Sequence, residues 1–285
     1  MTINAHPVTD PVAHHGEGPV WHRRWGGLRW VDMLAGDVLA LDERGEVRRR
    51  HVGAVAAVVR PRRSGGFLVA AERELMLADD DDLDAPLRSL GEAWQDPSVR
   101  MNDGGCDPDG RFYIGTMAYD ATPGKGTFYV ADPDGKLTVV LPDVTISNGF
   151  DFSPEGDRAY YIDTPTGRVD VFDYDGERGL TGRRPFVTVD RGSPDGLTVD
   201  AEGGVWVALW DGGAVHRYTS DGALDTVVEL PVRKVTSVAF GGPDLDRLFI
   251  TTSAVDTDRK EQPQAGALFA AEPGVRGRPV LETAL

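Results

Sequence analysis

The chain has 285 residues, 40% hydrophobic and 27% charged, with a formal net charge of −16 from 46 acidic and 30 basic side chains. Such a composition is that of a folded globular protein rather than a disordered one, and its acidity repels phosphate backbones and anionic lipid surfaces, so neither nucleic acid nor membrane is expected as a partner. The lone Cys106 excludes an intramolecular disulfide and fits a reducing cytoplasm. No run approaches the roughly 18 apolar residues of a membrane-spanning helix, and the N-terminal MTINAHPVTDPVAHHGEGP lacks the basic-then-apolar order of a secretory signal, so a cytoplasmic location is expected.

Residues 1–13 show no apolar periodicity and are expected to be a flexible lead-in to one domain spanning 1–285. Helical periodicity is nearly absent from the rest of the chain. Short apolar–polar alternations predict strands at Leu28–Met33, Gly66–Ala71, Arg111–Thr116, Ala159–Asp163, Gly204–Trp210 and Arg247–Thr252. Turn dipeptides punctuate them at Arg44-Gly45, Asp109-Gly110, Asp134-Gly135, Asp175-Gly176 and Asp221-Gly222.

A larger unit repeats: strand, Asp-x-x-Gly-type turn, strand, small turn, strand. It begins at Gly18, recurs in a divergent copy (AVAAVVRPRRSGGFLVAAERELMLAD), then at Gly104, Gly149 and Gly196, and closes with SVAFGGPDLDRLFITTS. Six units of about 40–50 residues match the spacing of four-stranded propeller blades. The predicted fold is therefore all-β, a six-bladed β-propeller of antiparallel blades around a central channel. A monomer or weak dimer is expected of so closed a shape. Asp79–Asp82, the densest charge run, reads as a solvated loop.

Polar residues cluster where blades begin: Gly16-Glu17-Gly18, Arg100-Met101-Asn102-Asp103-Gly104, Ser147-Asn148-Gly149, Ser193-Pro194-Asp195-Gly196, with a further candidate at Thr236–Phe240. Asn-Gly and Asp-Gly singly are ordinary hairpin turns. Four of them in phase with the blade period point instead to one site, with Glu17, Asn102 or Asp103, Asn148 and Asp195 facing one channel mouth. Carboxylates and amides together form a hard oxygen shell suited to Ca²⁺, Mg²⁺ or Mn²⁺, or to Zn²⁺ where positions stay open. Paired buried carboxylates without a cation would repel.

These stretches resemble the regucalcin/gluconolactonase (senescence-marker-protein) family of sugar lactonases. The similarity runs through GEGPVW at Gly16–Trp21, WVD at Trp30–Asp32, RMNDGGCDPDGRFYIGTM at Arg100–Met117, SNGFDFSPEGDRAYYIDT at Ser147–Thr164, PDGLTVDAEGGVWVALW at Pro194–Trp210 and TSVAFGGPDLDRLFITT at Thr236–Thr252. The resemblance implies a six-bladed propeller that hydrolyses a sugar lactone, with Glu17, Asn148 and Asp195 as ligands of one divalent metal ion, Ca²⁺ foremost. It implies that Arg100 and Asn102 bind the substrate, that Asp103 lines the site, and that Asp120 stands where relatives carry an acidic substrate contact. Asp195 is the expected general base. Two other readings stand beside it: a phosphotriesterase-like hydrolase on the same propeller, and a calcium-binding regulator without catalysis.

Cys106, at a strand start with no partner histidine, reads as a small structural residue. His14 and His15 read as a polar lead-in to the first blade rather than as metal ligands. Trp21, Trp30, Trp206 and Trp210 read as blade packing, and Trp94 as a wall or lid near Arg100.

Overall fold

The computed structural model describes residues 1–42 and 44–285. It consists of strands, short 3-10 turns and loops arranged as six sheets, antiparallel apart from one terminal strand. No helix among the described residues is long and apolar enough to cross a membrane.

The innermost strands are Gly16–His22, Ala56–Pro61, Val99–Cys106, Ser147–Phe152, Ser193–Val199 and Val235–Gly241. Each packs against the next and the last against the first, closing the ring of a six-bladed β-propeller. The second strands lie within a residue or two of the predicted segments, for example Val205–Trp210 and Arg247–Thr252. Both faces of an inner or second strand are covered by neighbouring blades, so Phe67–Ala71 is buried at every position. Outer strands face water on one side, and Val47–His51 carries three arginines in succession between them. Apolar area removed from water between the blades stabilises the ring at about 25 cal/mol per Å².

Chain ends complete the sheets. Phe269–Ala271 is the third strand of the sixth blade, and its fourth, His6–Pro7, comes from the N-terminus. Thr2–Asn4 adds a parallel fifth strand to the fifth blade. Residues 1–13, for which the sequence suggests flexibility, thus carry two strands. Their ladder bonds satisfy backbone groups that an open edge would leave bare.

The C-terminal segment crosses the channel mouth at which the inner strands finish. Its bonds run from the sixth blade round to the first: Gly277 N to Leu245 O (2.7 Å), Ala201 N to Arg276 O (2.9 Å), Arg278 Nη1 to Ser153 O (3.1 Å), Ala284 N to Gly110 O (2.8 Å), Thr283 N to Pro61 O (2.9 Å) and the His22–Glu282 pair (2.8 Å). That mouth is closed, and access to the channel is left at the end where the inner strands start. The acidic run Asp79–Asp82 is more than a solvated loop: Asp81 accepts from Trp25 Nε1 and Gly66 N, both at 3.1 Å, and so ties the first blade to the second.

Candidate active site

Every inner strand carries a register shift near its start. The pairing skips between Glu17 and Val20, Ala56 and Val58, Met101 and Gly104, Asn148 and Phe150, Pro194 and Leu197, and Val235 and Ser237. Such bulges interrupt the ladder and re-aim side chains. Four of the six carry the polar residues singled out by the repeat: Glu17, Asn102 with Asp103, Asn148, and Asp195. The second and sixth blades place Ala57 and Thr236 there.

The glycines after these residues are not turn residues. Gly149 and Gly196 lie inside strands. A Cβ on Gly149 would meet Asp195 O at 2.9 Å, and one on Gly196 would meet Ser237 Oγ at 2.2 Å. Glycine there lets neighbouring inner strands approach closely around the channel, which brings side chains of adjacent blades together.

A continuous hydrogen-bond chain links three of these blades. Arg100 Nη1 donates to Asn102 Oδ1 at 2.8 Å. Asn102 Nδ2 donates to Ser147 O at 2.9 Å and Asn148 Oδ1 at 3.1 Å. Asn148 Nδ2 donates to Thr164 Oγ1 at 2.7 Å, and Thr164 Oγ1 to Pro194 O at 2.8 Å. Both amides are thereby oriented, and Asn148 Oδ1 keeps a second lone pair. Arg100 is buried with its guanidinium against the sulfurs of Met33 and Met117, both at 3.1 Å, and its Nε has no partner. Nη1 also donates to Met101 O at 3.0 Å, and the charge is met by Tyr119, whose ring centroid lies 5.8 Å away and whose hydroxyl bonds Glu72, and by Glu17 and Asp195.

The carboxylates carry the electrostatic tension. Glu17 is 4% exposed and Asp195 5%. Burial, then Asp103, pushes Glu17 up to about 8, against the Gly18 N–H, Arg100 and Arg60. Burial, then Glu17 and Asp103, raises Asp195 well above the usual carboxylate range, against Arg100. Glu17 accepts one bond, from Gly18 N at 2.9 Å. Asp195 accepts none among the described residues. Mutually repelling acids with so few donors suit a divalent cation, with Asn148 Oδ1 as a third hard oxygen. No three His, Cys, Asp or Glu side chains form a ligand cluster among the described residues, so a set here needs that amide.

Other candidates lie elsewhere. Asp103 lines the enclosed channel below, with Arg60, Gly105 and Cys106; burial raises it and Arg60 opposes. Asp120 is exposed on the rim, its Oδ1 held by Thr122 N (3.0 Å) and Oγ1 (2.7 Å). Burial pushes Cys106 up to about 12, leaving a thiol with no nucleophilic character. Trp94 stacks on Tyr129 at 6.0 Å beside the second-blade residues Leu90–Ala93, and its Nε1 donates to Val99 O at 3.1 Å, the residue before Arg100. Trp30 and Trp206 pack the blades, whereas Trp210 is half-buried at the open mouth. Sequence reasoning missed Arg60. Its signal was a cation ending the apolar run AVAAVV, in the blade whose copy is most divergent.

The defining pattern of the "SMP-30/Gluconolactonase/LRE-like region" matches residues 15–254. The chain is 37% identical to pentonolactonase XacC of Haloferax volcanii, over 98% of this chain and 97% of that one. It is 35% identical to regucalcin of Xenopus laevis, over 89% of each. Its structure superimposes on that of regucalcin from Agrobacterium tumefaciens, described as a calcium-binding protein, with a TM-score of 0.92 and 30% identity, covering 100% and 99% of the two chains. With bulges, carboxylates and blade order in place, the chain belongs to the SMP-30/gluconolactonase/LRE-like family.

Proposed function

We propose that the protein hydrolyses a sugar (aldono)lactone to the aldonic acid at the open mouth, with one divalent cation held by Glu17, Asn148 and Asp195. Membership of the family makes it a lactone-hydrolysing enzyme. The names of its relatives, a pentonolactonase among them, support a small sugar lactone as substrate. One observation carries the cation: Asp195, buried and facing two other acids, receives no side-chain hydrogen bond from the described residues.

Bound there, a divalent cation supplies Lewis-acid polarisation of the lactone carbonyl and the positive charge that keeps the acids ionised. Ca²⁺ is the first candidate, given the calcium-binding relative; an oxygen-only set also admits Mg²⁺, Mn²⁺ or Zn²⁺. Asp195 accepts a proton from the attacking water. The water oxygen bonds to the carbonyl carbon, the ring C–O bond breaks, and the ring oxygen takes the proton held by Asp195 and leaves as a hydroxyl, which restores the carboxylate. Arg100 and Asn102, fixed by their mutual bond, orient substrate oxygens. Asp103, opposed by Arg60, forms the floor, and Asp120 reads hydroxyls from the rim.

The test is acid release from a panel of aldonolactones and an organophosphate ester, with chelator and after each cation is restored. Lactone turnover that a chelator removes and one cation restores is expected. Turnover of the phosphate ester alone would favour a phosphotriesterase, and cation binding with no turnover of any substrate a regulator.

A further inference from the structure

One side of the open mouth has hydrogen-bond donors without acceptors. His15 stands immediately before the first inner strand and bridges to Ser253, which follows the second strand of the sixth blade. Lys234 immediately precedes the sixth inner strand. Trp210 ends the second strand of the fifth blade and pairs with Ser193, two residues from Asp195. All three are half-buried. They come from blades one, five and six, so only closure of the ring assembles them.

Their partners account for few of their protons. His15 Nδ1 lies 2.8 Å from Ser253 Oγ, which already accepts from Val255 N at 3.1 Å. The arrangement that uses every group has the Ser253 hydroxyl donating to Nδ1, which leaves the imidazole proton on Nε2. That Nε2–H has no acceptor among the described residues. The imidazole meets the Trp210 indole edge-on at 5.8 Å. Lys234 Nζ sits 4.8 Å from the centre of that indole and gives one bond, to Val255 O at 2.6 Å. The indole N–H of Trp210 bonds nothing among the described residues, unlike that of Trp206, which donates to Asp200 at 2.9 Å. The packing tryptophan is satisfied and the mouth tryptophan is not.

Half-buried donors lacking acceptors suit a ligand rich in oxygen lone pairs. We propose that His15, Trp210 and Lys234 form a hydrogen-bond-donating wall that selects polyhydroxylated lactones over hydroxyl-free ones by binding the hydroxyl oxygens of the sugar. This rests on the lactonase reading and adds a specificity surface distinct from Arg100 and Asn102. An indole flanked by an imidazole and an ammonium also offers an apolar surface to the C–H face of a sugar ring.

The experiment compares glucono-δ-lactone with δ-valerolactone, the same ring without hydroxyls, on the cation-loaded enzyme. Trp210→Phe keeps the aromatic surface and removes the N–H, Lys234→Met keeps the stem and removes the charge, and His15→Leu removes the imidazole. Each is expected to raise KM for glucono-δ-lactone about five- to tenfold, the worth of one or two hydrogen bonds, with kcat within about twofold. The effect on δ-valerolactone should be clearly smaller, and His15→Gln, which keeps a donor, should recover part of the loss. Equal losses on both lactones, or an unmoved KM, overturn the wall. Weakened Ca²⁺ binding by calorimetry in these variants also overturns it, since the residues would then serve the cation site. Should the wild type hydrolyse neither lactone, the lactonase reading falls by itself; the wall is then read from calorimetric binding of gluconate, where weaker binding by Trp210→Phe supports it and equal binding overturns it.

Discussion

The two mouths of the channel are ends of the same six strands, yet they differ in how far their polar groups are satisfied. At the finishing end, the C-terminal segment supplies a partner on each blade. Arg278 alone donates to the carbonyls of Phe152, Ser153 and Val199. At the starting end, bulges interrupt the ladders, and among the described residues Asp195 receives no donor and Trp210 Nε1 and His15 Nε2 find no acceptor. Buried polar groups are nearly always paired in folded proteins; Arg100 Nε at this mouth is buried without a partner, as are Arg29 Nε and Nη1 between the first two blades, but only at the open mouth does the lapse fall beside crowded acids that a ligand can complete. The sealed end holds the ring together, and the open end keeps capacity for chemistry.

The sharpest way to break this contrast is Asp195→Asn. Loss of the proton acceptor and of one cation ligand should lower kcat/KM about a thousandfold or more. The circular dichroism should remain that of an intact β-protein, because the Asp195 side chain makes no hydrogen bond to the described residues. Near-normal turnover would mean that the open mouth is no more reactive than the sealed one.

The next effect is on pH. Glu17 sits at about 8 against an ordinary 4.5, and Asp195 is also raised. Between those values the native state holds protons that the unfolded chain has released. The associated stability is therefore fully present below about pH 4.5 and is lost as pH rises through about 8. Without divalent cation, Tm should fall from pH 5 to pH 9. Saturating Ca²⁺ should flatten the fall, since the cation replaces the protons. Scanning calorimetry with and without chelator reads both arms, and a Tm that rises with pH in chelator would contradict the crowding of acids at this mouth.

The smallest effect is expected at the sealed end. Arg278→Met removes bonds to three carbonyls and should lower Tm by about 5 °C, taking one to two kcal/mol at roughly 2–4 °C each in a chain of this size. Its kcat should stay within about twofold of wild type, measured well below Tm. A large loss of kcat would show that the two ends are not independent.

Much of the candidate site was legible in the repeat, because Glu17, Asn102, Asn148 and Asp195 recur in phase with short-range strand and turn patterns. The same phase did not distinguish Asp103, directed to the enclosed channel, from Asn102, one residue earlier, because a bulge redirects neighbours in a way that alternation does not encode. Nor did it separate Trp206 from Trp210, four residues apart on one strand. One has Asp200 beside its N–H, and the other ends at the mouth. Asp120 was legible as an acid in the right stretch, but its bonds to Thr122 are a property of the folded rim.

By itself, the sequence determined the blades, their number and the candidate ligands, since strand alternation and turn chemistry act over a few residues and repeat with the blade. Only the tertiary structure decided which mouth is closed, how residues 1–13 complete the last two blades, and which polar groups lack partners. Those outcomes depend on contacts between chain segments more than two hundred residues apart, such as Thr236 Oγ1 with Gly16 O, and partner satisfaction is settled only once the ring has closed.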